Sequence, residues 1–201
     1  MRKQIRTEAG PALADVAGTA APRFLMVLTH GAGGSPDTPD VLAARDAGLE
    51  LGGEVALVTQ PYRMKGSRAP GSAAKQDAAW IQVVSALLGE RSVPLVQGGR
   101  SNGARVACRT AAATGALGVL ALAFPLRPPG HPERTRAPEL AQARKSGANV
   151  LVVNGDRDPF GIPGHQDADR IVVLDGQTHA LSKDPAAVRS VVASWLREVV
   201  S

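Results

Sequence analysis

Short apolar segments alternate along the chain with longer segments whose apolar residues recur at helical spacing. Most of the short segments are apolar at every position, which is typical of strands buried on both faces of a sheet. The helical segments between them indicate parallel crossover connections. The predicted strands are residues 24–29, 54–59, 93–97, 119–124, 149–153 and 171–174. The predicted helices are residues 41–51, 73–88, 102–113 and 185–199.

This alternation predicts a single-domain α/β fold, with a mostly parallel central sheet of about six or seven strands and helices on both faces. We expect residues 21–201 to form this domain, and the weakly patterned residues 1–20 to be an N-terminal arm or an edge strand. Two connections, residues 60–72 and 125–137, are longer than usual. Long loops at the carboxyl ends of parallel strands are where ligand sites usually lie.

Composition narrows the class of protein. The chain has 201 residues, of which 44% are hydrophobic, and this is enough for one buried core. No apolar run approaches the roughly 20 residues that span a bilayer, so no membrane association is expected. The single cysteine, Cys108, excludes an intramolecular disulfide framework. The basic N-terminus is not followed by the apolar segment of a secretory signal, and we therefore expect a cytoplasmic protein.

The net charge of +5 raises the question of nucleic-acid binding. The basic residues are scattered, with no run longer than two, and aromatic residues make up only 3% of the chain. Such a chain offers no platform on which bases could stack. The sequence therefore predicts a solvated basic surface and no nucleic-acid partner.

A glycine-flanked serine follows the predicted strand at residues 93–97. Residues 99–103 read Gly-Arg-Ser-Asn-Gly, which is the G-x-S-x-G pattern of a nucleophile on a tight turn between a strand and a helix. Side chains in place of the glycines would collide with the neighbouring strand and helix. A Gly-rich turn that only packs a helix on a sheet would show the same five residues. The position between a buried strand and an Ala-rich helix favours Ser101 as a nucleophile.

A second Gly-rich segment, residues 30–34, follows the first predicted strand and reads His-Gly-Ala-Gly-Gly. A backbone N–H from such a loop and the N–H of the residue after the nucleophile can form an oxyanion hole. We assign these two N–H groups to Ala32 and Asn102. The alternative, a phosphate-binding turn, lacks both the G-x-G-x-x-G spacing and a Walker lysine. The position of His30 before the glycines suggests that its ring braces the loop.

A carboxylate and a histidine follow the last two predicted strands. Asp158 is preferred as the acid because Pro159 and Gly161 fix the turn around it, with Asp156 as the alternative and Asp175 as a more distant one. His179, between the last strand and the last helix, is positioned to take the proton of the nucleophile and return it to a leaving group. No pair of histidines has the spacing of metal ligands on one helix, so no metal is expected. No organic cofactor is expected either.

The candidate nucleophile, acid and base occur along the chain in the order Ser101, Asp158, His179. Among serine hydrolases this order of the triad is expected of one fold only. The sequence resembles the α/β-hydrolase superfamily from about residue 24 to residue 200, and more narrowly its small, lid-less dienelactone-hydrolase-like proteins. Within these proteins it resembles a bacterial subgroup that carries the strings LTHGAGG, QPYR, GGRSNGARVACRTA, LAFPL and GDRDPFG, which stand here at residues 28–34, 60–63, 98–111, 122–126 and 155–161.

The resemblance implies a triad of Ser101, Asp158 and His179 with an oxyanion hole at Ala32 and Asn102. Dienelactone hydrolases proper use a cysteine nucleophile, so the serine here argues against dienelactone as the substrate. A eukaryotic branch of the subgroup includes a chromatin-complex subunit. Membership is therefore also compatible with a non-catalytic interaction module.

The expected activity is hydrolysis of a small ester or thioester through an acyl-enzyme. Several basic residues in the loops around the site would favour an anionic substrate, although arginine is abundant throughout this chain. The residues expected to contact the substrate are Tyr62, Arg63, Arg100 and Phe160.

Overall fold

The computed structural model describes residues 1–19 and 21–201, which form eight strands and six helices. The strands are β1 (Arg2–Thr7), β2 (Gly10–Ala17), β3 (Leu25–Thr29), β4 (Glu54–Thr59), β5 (Leu95–Arg100), β6 (Gly118–Leu122), β7 (Asn149–Gly155) and β8 (Arg170–Leu174). The helices are α1 (Pro39–Glu50), α2 (Pro61–Met64), α3 (Ala73–Leu88), α4 (Asn102–Thr114), α5 (Ala137–Lys145) and α6 (Pro185–Val199).

All eight strands join in one sheet, in the order β1-β2-β4-β3-β5-β6-β7-β8. The six strands from β3 to β8 are parallel, and only β1 and β2 run antiparallel to their neighbours. Helices α3, α4 and α5 pack on one face of the sheet and helices α1 and α6 on the other. The predicted single-domain α/β fold with a mostly parallel sheet is therefore confirmed, with eight strands where six or seven were expected.

The additional pairing comes from the N-terminus. Residues 1–20, for which an arm or an edge strand was expected, contribute the hairpin of β1 and β2 to one edge of the sheet, and residue 20 lies outside the described residues. In β2 the buried positions alternate, with Ala12, Ala14 and Val16 facing the core. Alanines give this period-two pattern too little hydrophobic contrast to predict a strand from the sequence.

Strand β5 begins two residues later than predicted and ends three residues later, because it continues through the glycines that precede Ser101. A Cβ atom on Gly98 would lie 2.5 Å from the carbonyl oxygen of Leu120 in the neighbouring β6. Only glycine permits this approach, so the residues assigned to a turn from sequence are part of the strand. The strand therefore delivers Ser101 directly at its carboxyl end.

Helix α5 was not predicted. Its sequence is rich in polar residues, and its buried residues are only Leu140 and Ala143. Two buried positions in nine residues are too few to produce a recognisable helical period. The predicted long loop before it is observed at residues 125–136, and the other long loop, residues 60–72, contains the short helix α2.

Gly155, the last residue of β7, lies in close contact with the backbone of a neighbouring loop. A Cβ atom there would overlap the carbonyl oxygen of Gln177, in the loop that carries His179. We expect Gly155→Ala to destabilise the fold by roughly 2–3 kcal/mol, because backbone must move to relieve the overlap. Gly34→Ala is the matched control, since its methyl group would meet only the Gly31 carbonyl oxygen, at 3.5 Å. Urea unfolding midpoints measure the difference, and equal midpoints would contradict this reading.

Within the described residues, no helix is both long and apolar enough to cross a membrane.

Candidate active site

Ser101 lies at the sharp turn between β5 and α4. Its backbone has φ 53° and ψ −111°, a region that non-glycine residues rarely adopt. Such strain persists only where the surroundings impose it. Here a Cβ atom on Gly99 would lie 2.5 Å from the Thr29 carbonyl oxygen, and one on Gly103 would lie 2.7 Å from the His30 carbonyl oxygen. The close crossing of β5 and α4 over the end of β3 explains both glycines of the G-x-S-x-G segment.

The side chains of Ser101, His179 and Asp158 form a continuous hydrogen-bonded chain. Nε2 of His179 lies 3.0 Å from Oγ of Ser101, and Nδ1 of His179 lies 2.7 Å from Oδ2 of Asp158. A carboxylate only accepts hydrogen bonds, so Nδ1 carries the ring proton and Nε2 is free to accept the serine proton. This arrangement can activate a hydroxyl nucleophile.

Asp158 is fixed by donors as well as by the histidine. Its side chain has no exposed surface, Oδ1 accepts the Phe160 N–H at 2.9 Å, and Oδ2 accepts Nδ2 of Asn154 at 3.3 Å. The two aspartates weighed as alternatives lie elsewhere: Asp156 is exposed, 3.9 Å from the Arg157 guanidinium, and Asp175 is exposed on the loop after β8. The structure brings only the preferred aspartate to the histidine.

The loop carrying His179 is tied to the sheet at several points. The Arg157 N–H donates to the Gln177 carbonyl, and Leu181, with φ 48°, is fully buried. From β5, Nη2 of Arg100 donates to the His179 carbonyl oxygen at 2.6 Å. Arg100 is itself held by Asp40 on α1, with Nε 3.1 Å from Oδ2 of a carboxylate that has no exposed surface. Burial raises the pKa of Asp40, and the positive charge of Arg100 opposes that rise.

These contacts predict an effect of Arg100 on the chemical step through the position of His179. We expect Arg100→Gln to lower kcat by about 10- to 100-fold with a small change in KM, because the histidine carbonyl loses its donor. Arg100→Gln also leaves the Asp40 carboxyl buried without its cation. The double variant Arg100→Gln/Asp40→Asn should therefore recover thermal stability but not kcat. A double variant that recovers both would contradict a positioning role.

The Gly-rich loop after β3 lies directly against the nucleophile. A Cβ atom on Gly31 would lie 3.3 Å from Cβ of Ser101. The fully buried His30 ring fixes this loop, since Nε2 accepts the Gln60 N–H at 3.0 Å and Nδ1 lies 2.8 Å from the Gly31 carbonyl oxygen. Burial lowers the pKa of His30, which keeps the ring neutral and able to accept. His30 thus braces the loop, as the sequence suggested.

The two backbone N–H groups assigned to an oxyanion hole are those of Ala32, in this loop, and Asn102, at the start of α4. Within the described part of the chain neither donates a hydrogen bond to another group. Asn102 is the first residue of α4, where the helix dipole favours negative charge. Neither N–H group is thus committed to an acceptor among the described residues.

The residues expected to contact a substrate have partners within the protein. The Phe160 ring packs edge-to-face against His179, with centroids 4.6 Å apart, and the half-buried Tyr62 packs similarly on His30 at 5.7 Å. Arg63 donates from Nε to the Gly34 carbonyl and from Nη1 to the Ser67 carbonyl, both at 2.9 Å. The guanidinium of Arg100 is occupied by Asp40 and the His179 loop. Contact of these four residues with a substrate remains a prediction.

Sequence reasoning missed three supporting residues. The buried Gln76 on α3 accepts a hydrogen bond from Nδ2 of Asn102 at 2.7 Å. Asn154 donates a hydrogen bond to Asp158, and Asp40 forms the ion pair with Arg100. Asn154 also exchanges hydrogen bonds with the Phe124 backbone. No local motif marks these side chains: Gln76 and Asp40 contact residues 26 and 60 positions away, and the contacts of Asn154 with Phe124 span 30 positions.

The remaining reactive side chains lie apart from this site. Cys108 is fully buried in α4, and burial raises the pKa of its thiol. His131 and His165 are exposed loop residues. The described residues contain no group of three or more histidine, cysteine, aspartate or glutamate side chains arranged to hold a metal ion.

Comparison with known proteins places the chain in a family. Residues 22–179 match the model of an alpha/beta hydrolase domain family. A search of curated protein sequences found no match.

Solved structures share the fold over nearly the whole chain. XC6422 from Xanthomonas campestris, described as an α/β serine hydrolase without a lid, is 20% identical with a TM-score of 0.75, covering 98% of this chain and 94% of that one. Est1E from Butyrivibrio proteoclasticus is 15% identical with a TM-score of 0.79, covering 99% and 98%. A dienelactone hydrolase from Anabaena variabilis is 13% identical with a TM-score of 0.74, covering 100% and 98%. The chain therefore belongs to the alpha/beta hydrolase domain family, and its fold is the small form without a lid.

Proposed function

We propose that this protein is a serine hydrolase that cleaves a small carboxylic ester or thioester through an acyl-enzyme. The observation that carries the proposal is the chain of hydrogen bonds from Ser101 through His179 to the buried Asp158, on a strained turn beside two unused backbone N–H groups. A serine held in this way has no evident structural task. The same observation favours catalysis over a non-catalytic interaction module.

In the proposed mechanism Oγ of Ser101 attacks the substrate carbonyl while Nε2 of His179 accepts the hydroxyl proton. Asp158 keeps the imidazole in the required tautomer and stabilises the imidazolium. The N–H groups of Ala32 and Asn102 hold the developing oxyanion, and each such donor contributes roughly 10²- to 10³-fold in kcat in comparable sites. His179 then protonates the departing alcohol or thiol. Water, activated by the same histidine, releases the acid and restores Ser101.

Short esters are the expected substrates because the described residues form no lid domain over the site. The test is turnover of nitrophenyl acetate and butyrate together with a short acyl thioester, in the presence and absence of methanol. An acyl-enzyme can be attacked by methanol in place of water, so we expect methyl acetate or methyl butyrate to appear as methanol is added. A folded protein that turns over none of these substrates would contradict the proposal.

A further inference from the structure

A cavity of about 550 Å³ opens between α3, the loop after β4 and the turn between β1 and β2. We call it the α3 cavity, because one wall is the first part of α3. Its apolar lining comes from Pro61, Tyr62, Pro70, Ala74, Ala78 and Ala79. Its charged lining residues are Lys65, Lys75 and Glu8.

Some lining residues of the α3 cavity also contact the segments that carry the two unused N–H groups. Its lining residue Gln76 accepts a hydrogen bond from the Asn102 side chain, and Gln60 donates to the His30 ring. The Tyr62 hydroxyl, also in the lining, lies 3.5 Å from the Gly31 carbonyl oxygen. The lining residues Gln76, Gln60 and Tyr62 therefore connect the cavity to the oxyanion side of the candidate site.

The position of the cavity relative to the strands indicates which half of an ester it would hold, the acyl group or the leaving group. A leaving group must lie near Nε2 of His179, which protonates it. His179 follows β8, on one side of the strand that carries Ser101, whereas the α3 cavity lies on the other side, towards β4 and the hairpin. The cavity is thus on the side away from the proton donor, where the acyl group belongs.

The charge in and beside the cavity is mostly positive. Residues 60–75 contain Arg63, Lys65, Arg68 and Lys75 and no acidic residue. None of these four has a carboxylate partner within the described chain, whereas ten other arginines do. Cations without carboxylate partners beside a cavity favour an anionic ligand group. Glu8 is the one opposing charge in the lining.

We propose that the α3 cavity binds the acyl chain of the substrate, and that this chain has an apolar body of several carbons ending in a carboxylate held by Lys65 and Lys75. The substrate class is thus a half-ester or half-thioester of a dicarboxylic acid. The proposal rests on the hydrolase function given above and names its substrate. The distal carboxylate takes no part in bond making: the Ser101 oxygen displaces the alcohol or thiol, and water then releases the diacid. A cavity of this volume is within the usual range for small-molecule sites.

The test compares the mono-nitrophenyl ester of adipic acid with nitrophenyl hexanoate, which has the same number of acyl carbons but no distal charge. We expect kcat/KM to be about tenfold higher for the adipoyl ester at low salt, and the preference to shrink as salt screens the exposed lysines. The variant Lys65→Gln/Lys75→Gln should lower the adipoyl-to-hexanoyl ratio by about tenfold. The matched control Lys3→Gln/Lys145→Gln removes the same charge from exposed residues outside the cavity and should leave the ratio unchanged.

A second variant and a second substrate test the acyl assignment. Ala78→Phe narrows the cavity, so it should lower kcat/KM for both six-carbon esters relative to the acetyl ester. An acetyl ester with a sulfonate on its phenol leaving group should gain nothing from the lysines.

The outcomes test the proposed substrate class separately from the proposed hydrolase activity. Hydrolysis of the hexanoyl ester with no adipoyl preference, or a preference unaffected by the lysine variants, would overturn the substrate class and leave the hydrolase standing. A lysine-dependent preference for the sulfonated leaving group would overturn the acyl assignment. Failure to hydrolyse any ester would overturn the function and this inference with it.

Discussion

Replacing Ser101 with alanine is expected to lower kcat on a short ester by about 10⁴- to 10⁶-fold, because the nucleophile is removed while the fold is kept. His179→Ala should have an effect of similar size, since an unassisted hydroxyl is a weak nucleophile. The double variant should be no slower than either single variant, because the two groups act in one step. Steady-state turnover of nitrophenyl butyrate measures all three.

Ser190→Ala and His165→Ala are the controls for this series. Both residues are exposed and lie outside the candidate site, and we expect turnover within about twofold of the wild type. Effects of the two site variants that multiplied in the double variant would contradict a joint role. Substantial turnover by Ser101→Ala would exclude that serine as the nucleophile.

Asp158→Asn is expected to lower kcat by about 10⁴-fold. Both oxygens of Asp158 accept hydrogen bonds from fixed donors, the Phe160 N–H on Oδ1 and Nδ2 of Asn154 on Oδ2. An amide placed there must point its NH₂ group either at one of these donors or at the histidine. The latter reverses the tautomer and leaves Nε2 protonated, so it cannot accept the Ser101 proton.

Asp156→Asn is the matched control for this substitution. The residue is two positions away and exposed, and its nearest cation is Arg157 at 3.9 Å. We expect little change in kcat, and the pair of variants decides between the two aspartates that the sequence offers. A larger loss for Asp156→Asn than for Asp158→Asn would reverse the assignment.

The parallel core of the fold could be predicted from sequence because its strands are buried on both faces. Residues 150–155 of β7, for example, are all buried, and such a run can hardly be mistaken for a surface element. The hairpin and α5 could not be predicted for the opposite reason. Ile5 is the only buried residue of β1, and α5 buries two residues against the sheet, so their positions are set by tertiary packing rather than by local pattern.

The candidate site was predictable where backbone geometry demands particular residues. Gly99 and Gly103 are required by the crossing over β3, and they identify the turn that holds Ser101. Asn154 and Gln76 carry no such mark, because a buried amide next to a functional residue looks in sequence like any other polar residue. The sequence predicts that Arg100 contacts the substrate, because it stands next to Ser101. Its buried partner Asp40 lies 60 positions earlier, so the sequence does not reveal the ion pair that holds it.

Covalent labelling with a fluorophosphonate tests the central claim most directly. The reagent reacts with serines activated by a neighbouring base and held beside oxyanion donors. We expect one adduct per chain, located by peptide mass mapping on the peptide that contains Ser101, and no adduct on Ser101→Ala or on His179→Ala. A folded wild-type protein that remains unlabelled, or one labelled at another serine, would contradict the assignment of this site as a hydrolase active centre.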